Sequence, residues 1–96
     1  MKKYEAMFIL KPGLSEDERK ALFSQINDAV TNKAGIVSGG NIWAEKRKLY
    51  FPLKKHHEGL YYLLNFSISP LAVKEIEQVY RLNESILRVM VTKIEE

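Results

Sequence analysis

The chain has 96 residues, 46% hydrophobic and 28% charged, a net charge of +3 and no cysteine. That length predicts one domain spanning 1–96 with a single modest core, and the apolar content excludes intrinsic disorder. The missing thiol excludes disulfides and cysteine-based zinc or iron–sulfur sites. Only the short stretch Ala6–Leu10 is apolar near the start, too little for a signal peptide or a membrane span, so the expectation is a cytoplasmic protein with no membrane partner.

Tyr4 to Leu10 reads as a central strand, with Ala6, Phe8 and Leu10 on one face and Met7 and Ile9 on the other. Lys11-Pro12-Gly13 breaks it. Ser15 with Glu18 three residues on predicts a capping box, and Glu16, Asp17 and Glu18 suit the positive end of a helix. Leu22, Ile26, Ala29 and Val30 form that helix's buried stripe, Phe23 its margin, and Gly35 is expected to close it. A second strand starts at Ile36, bulges or bends at Gly39-Gly40 and resumes from Ile42 to Leu53. His56-His57-Glu58-Gly59 reads as a connecting turn. Leu60 to Ile68 is the third strand, with Leu60, Tyr62, Leu64, Phe66 and Ile68 on one face and Tyr61 and Leu63 on the other. Ser69-Pro70 opens a second helix whose stripe is Val73, Ile76, Val79 and Tyr80. After a turn at Asn83-Glu84-Ser85, Ile86 to Ile94 is the last strand, with Val89 and Val91 inward and Arg88, Met90 and Thr92 outward.

The order β-α-β-β-α-β predicts an α+β, ferredoxin-like split βαβ domain: a four-stranded antiparallel sheet with two helices on one face. The other sheet face stays bare and carries Met7, Ile9, Tyr61, Leu63 and Met90. A contiguous apolar patch of this kind marks a protein-partner surface, unless neighbouring side chains half-bury it.

Within the second strand, residues 46–55 place five cations and two aromatics in ten positions. Strict alternation would turn Leu49, Phe51 and Leu53 to the core and Lys46, Lys48 and Tyr50 outward with Lys54. A strand basic on one side suits a polyanion. An edge strand guarded by lysines against aggregation has the same composition.

Catalytic patterns are missing. Gly39-Gly40 has neither the Lys-Ser/Thr continuation nor the following helix of a phosphate loop, and no serine sits in a glycine-rich elbow. His56 and His57 are adjacent and diverge in extended chain, which leaves only a weak metal site with Glu58. No buried acid–base pair is visible, so no enzyme activity, cofactor, metal or small-molecule substrate is expected. The RNA-recognition motif shares this topology, but its third strand needs a basic-Gly-aromatic-Gly-aromatic run. Residues 59–66 read Gly-Leu-Tyr-Tyr-Leu-Leu-Asn-Phe instead. That disfavours single-strand readout by the sheet and favours phosphate contacts along edges and loops. The alternative is a small-molecule-sensing regulatory homodimer, which would need a ligand site at a strand–helix junction such as Lys11-Pro12-Gly13.

Three segments together resemble the bacterial small-subunit ribosomal protein six family over the whole length. They are Lys3-Tyr4-Glu5 with Met7-Phe8-Ile9-Leu10 and Pro12, then residues 46–54 with Gly59 and Tyr61, then residues 80–91. The chain departs from that family's pattern at Glu45, where glycine is usual, and at Tyr50, where a small residue is usual. Phe51 and Leu53 replace tyrosine and isoleucine. The resemblance implies a structural constituent of the small ribosomal subunit, binding the central domain of small-subunit (16S) rRNA in the platform together with ribosomal protein eighteen. It implies RNA-binding roles for Lys2, Lys3, Lys46, Arg47, Lys48, Lys54, Arg81, Arg88 and Lys93.

Overall fold

The computed structural model describes residues 1–94; Glu95 and Glu96 lie outside the described residues. Four strands and two helices follow in the expected order: β1 (Lys2–Leu10), α1 (Glu16–Thr31), β2 (Ile36–Leu53), β3 (His56–Ile68), α2 (Val73–Leu82) and β4 (Ile86–Lys93). A 3-10 turn at Pro70–Ala72 precedes α2. The sheet order is β2-β3-β1-β4, with every neighbouring pair antiparallel. Each crossover, β1-α1-β2 and β3-α2-β4, therefore skips one strand, which defines the split βαβ arrangement.

Alternation along β1 and β3 builds the core as expected. Tyr4, Ala6, Phe8 and Leu10 meet Leu60, Tyr62, Leu64, Phe66 and Ile68 on the helix side, under Leu22, Ile26 and Val30 of α1 and Ile76 and Tyr80 of α2. Phe8 and Tyr80 are perpendicular, ring centroids 4.8 Å apart, and Phe23 stacks on Tyr62 at 4.3 Å. The Tyr80 hydroxyl donates to the Ile26 carbonyl at 2.7 Å, a buried bond that ties α2 to α1. Burial, and then the neighbouring Tyr62, push the Tyr80 phenol far above the ordinary tyrosine range. Val79, expected in the α2 stripe, is half exposed on the helix margin.

At the start of α1 the capping box forms in full. Ser15 Oγ accepts from the Glu18 amide at 3.2 Å, and Glu18 Oε1 accepts from the Ser15 amide at 3.0 Å. The Ser15 backbone amide, then its hydroxyl, hold the Glu18 carboxyl below its ordinary range. A carboxyl whose pKa falls on folding stabilises the native state above its unfolded pKa and loses that effect as pH drops through the folded value. Wild type should therefore melt above Glu18→Gln at about pH 6, with the gap closing towards about pH 3. Thermal melts across that range check this; a gap that does not change with pH would exclude Glu18 as an ionised cap.

The other end of α1 differs from the expectation. Ala34, not Gly35, takes the left-handed conformation, with φ of 61°. Gly35 is required for a different reason. A Cβ there would sit 2.9 Å from the Val30 carbonyl oxygen and 3.0 Å from that of Ser67, so the chain could not pass between α1 and β3.

The largest departures lie in β2. It runs unbroken through Gly39-Gly40, but its register against β3 shifts between Val37 and Gly39, Ile42 and Ala44, Ala44 and Arg47, and Lys48 and Leu53. The first shift is the expected bulge beside the paired glycines. The last is the widest: pairing jumps from Lys48 with Glu58 to Leu53 with His56, so residues 49–52 stand against His57 alone. His56–Gly59 is thus not a turn but the start of β3. The reversal falls on Lys54-Lys55, both left-handed at φ of 47° and 70°, the signs a two-residue hairpin turn demands. β1 pairs with β3 only as far as Leu10 with Leu60, so the β2–β3 hairpin projects beyond that point as an arm. Phe51, expected to face the core, is 80% exposed and Tyr50 is fully exposed, while Leu49 and Leu53 are half-buried. Bulges reset the period of two, and past the sheet's end neither helix covers the strand.

Candidate nucleic-acid and protein interface

The face opposite the helices is ordered in rows by strand register. Leu63, Met7 and Met90 align across β3, β1 and β4, and Tyr61, Ile9 and Arg88 form the next row towards the arm. On the far side of the apolar row, Asn65, Glu5 and Thr92 make a polar one. Four of the five residues expected on the bare face are partly or largely exposed there, Met90 by 51%. Ile9 is the correction: at 9% exposure it forms the floor of a groove rather than an open contact.

That groove, of about 480 Å³, lies between the arm and the bare face of the sheet, lined by Ile9, Trp43, Leu49, Leu53, Tyr61 and the residues of its rim. Trp43 is the groove residue that alternation misses. Ile42 pairs with Tyr62 and Ala44 with Tyr61, so Trp43 is the extra residue of a bulge. A bulge re-aims a side chain, and here it brings the indole 5.6 Å from the Tyr61 ring. The Arg47 guanidinium sits over both rings, 5.0 Å from Trp43 and 5.6 Å from Tyr61, a cation–π pairing that orients a cation without neutralising it. Trp43 is 53% exposed, and it is the single tryptophan of the chain, which is the only mark the sequence gives it.

The nine expected RNA contacts do not form one patch. Lys46, Arg47, Lys48, Lys54 and Arg88 gather at the arm and its base. Lys2, Lys3 and Lys93 sit at the opposite end of the sheet, where Lys2 pairs with Ile68 and Lys93 with Tyr4. Arg81 lies on the helix layer, 3.4 Å from Glu77. Lys54, expected on the outward face of a strand, occupies the turn, and its Nζ donates to the Ile86 carbonyl at 3.2 Å. This anchors the arm's tip to the start of β4.

Carboxylates near the arm are engaged. Glu45 receives two parallel bonds from Arg19 of α1, at 3.1 and 3.0 Å, and Glu58 lies 3.9 Å from Lys46. Among the described residues no carboxylate forms an ion pair with Arg47, Lys48 or Arg88, although Glu58 stands opposite Lys48 in the ladder. The arm thus presents uncompensated positive charge beside aromatic surface.

The strand–helix junction at Lys11-Pro12-Gly13 holds a cavity of about 200 Å³, bordered by the Arg19–Glu45 pair. It falls below the roughly 300–1,000 Å³ of ligand pockets, which weighs against a small-molecule sensor. Among the described residues no cluster of three His, Asp or Glu side chains could hold a metal, and no helix is long and apolar enough to cross a membrane.

The family model described as "Ribosomal protein S6" matches residues 3–93. A small ribosomal subunit protein bS6 from Caldanaerobacter subterraneus subsp. tengcongensis is 36% identical over 96 residues, covering all of both chains. Another bS6, from Helicobacter pylori strain Shi470, is 38% identical over 95 residues, 99% of this chain and 66% of its own. The crystal structure of 30S ribosomal protein S6 from Thermotoga maritima superposes with a TM-score of 0.85 at 26% identity, covering 97% of this chain and 87% of that one.

Proposed function

The chain belongs to the ribosomal protein S6 family, and on that premise we propose that it is a non-catalytic, cytoplasmic scaffold of the small ribosomal subunit. It binds the central domain of small-subunit rRNA jointly with ribosomal protein eighteen. The observation that carries this reading is the adjacency of two unlike surfaces. The apolar row Leu63–Met7–Met90, continued by Tyr61, suits a protein partner. Next to it, Lys46, Arg47, Lys48, Lys54 and Arg88 suit a phosphate backbone. Lys2, Lys3 and Lys93 at the far end, with Arg81 on the helix layer, are further phosphate contacts.

The mechanism is shared binding. Each cation alone contributes little, because a surface charge is screened by salt. A partner seated on the apolar row adds its own charges to one continuous surface, and the second contact to the same RNA becomes intramolecular. By linkage, RNA must then raise the affinity of the two proteins for each other by the same factor.

Filter binding to the isolated rRNA junction checks this. With the partner protein present, affinity should rise by a factor in the range of about 5 to 150 expected for coupled sites. Equal affinity with and without the partner would overturn the joint mechanism. No binding in either case would overturn the RNA assignment.

A further inference from the structure

We propose that the groove between the arm and the sheet takes an unpaired nucleotide of the RNA, its base stacked on Tyr50 or Phe51 and its phosphates held by Arg47, Lys48 and Arg88. The inference rests on the RNA-binding reading above and adds to it the kind of nucleotide recognised and the rings that recognise it.

Tyr50 is fully exposed and Phe51 80% exposed, two adjacent rings at the lip of the groove. Neither contributes to the core. Nothing in folding alone explains two large apolar side chains held in water on a projecting hairpin, so their use lies in what they meet. Three observations identify that occupant. The residues lining the groove include three cations and no carboxylate. Its inner wall is aromatic, with Trp43 and Tyr61 under the Arg47 guanidinium. Its volume, about 480 Å³, suits a small flat group rather than a strand or helix.

Duplex RNA would satisfy the cations and leave the rings idle, because its bases are stacked inside the helix. An apolar protein segment would cover the rings and bury three unpaired charges, which is costly. An unpaired nucleotide supplies both a π-face and a phosphate. Base–aromatic stacking beside a positive groove is the general mode of single-strand recognition, and an Arg plane can join the stack. The route differs from recognition by an RNA-recognition motif, whose stacking rings lie on the central strands of the open sheet face. Here they belong to a bulged hairpin beyond the sheet's end.

The test compares three titrants by fluorescence anisotropy and competition: single-stranded oligo(A) of roughly ten nucleotides, an RNA duplex of equal length, and heparin as a polyanion without bases. Wild type is set against Tyr50→Ala/Phe51→Ala and against the conservative pair Tyr50→Phe/Phe51→Tyr. The alanine pair should bind oligo(A) about tenfold more weakly and bind the duplex and heparin within about twofold of wild type. The conservative pair should match wild type throughout. Both rings are exposed, so circular dichroism should be unchanged in either variant. Equal losses on all three titrants, or no loss on oligo(A), would overturn the proposal. So would loss of partner-protein binding with oligo(A) affinity intact, which would make the lip a protein-docking surface. Failure of the partner to raise affinity for the rRNA junction bears only on the joint mechanism and leaves this outcome separately readable.

Discussion

Replacing Phe8 with alanine should remove about 3–5 kcal/mol of stability, a large share of the roughly 5–15 kcal/mol that a small domain possesses. Phe8 is wholly buried in a strand flanked on both sides, pairing with Tyr62 on β3 and Val89 on β4. Its ring is perpendicular to that of Tyr80, with centroids 4.8 Å apart, and approaches Tyr62 at 6.3 Å. Truncation therefore removes transfer energy, leaves a cavity and uncouples α2 from the sheet at one point. For a domain of this size the melting temperature should fall by roughly 12–40 °C, read by circular dichroism, with urea titration giving the free energy. The same substitution at Phe51 should change stability by less than about 0.5 kcal/mol, because that ring packs on no core element. A small loss at Phe8, or a large one at Phe51, would overturn the division between core and arm.

The second large effect concerns charge. Arg47 and Arg88 both border the groove and neither pairs with a carboxylate among the described residues. If each contacts one phosphate, Arg47→Ala/Arg88→Ala should flatten the slope of log affinity against log salt by about 1.4–1.8. At about 0.1 M salt that corresponds to a loss of roughly 25- to 60-fold. Filter binding to the rRNA junction at several salt concentrations measures both. An unchanged slope would place the two arginines outside the interface even if affinity fell. Exchanging either for lysine should restore most of the slope, since the counterion term depends on charge. Arg47→Lys would still lack the stack over Trp43 and Tyr61, which needs a planar guanidinium.

The β-α-β-β-α-β order, the core faces of β1 and β3, the Ser15–Glu18 box and four of the five bare-face residues are all legible in the sequence. Each depends on local chemistry or on unbroken alternation. The arm is not legible, because its geometry comes from bulges. Nothing in residues 42–53 announces that Trp43 is an extra residue or that the stretch 49–52 faces His57 alone, and a single slipped residue reverses every facing assignment after it. Alternation therefore turns Phe51 inward and passes over Trp43. The turn is displaced for a related reason. Two lysines with positive φ are uncommon, and the adjacent histidines look more like loop residues than Lys54-Lys55 do. At the end of α1, glycine suggests left-handed geometry, whereas its use is space between two carbonyl oxygens. Cations are easy to identify as a set, but their division into an arm group, a far-end group and a lone helix residue depends on the register of strands distant in sequence.

The first strand in the chain sits between the third and the fourth. During vectorial synthesis β1 emerges first and waits, with neither hydrogen-bonding edge occupied, until β3 and then β4 have followed. Its apolar residues 6–10 are meanwhile a bare template for other nascent chains. Topology therefore favours one order of assembly: the β2–β3 hairpin can close locally, β1 can join it once β3 has left the tunnel, and β4 completes the sheet last.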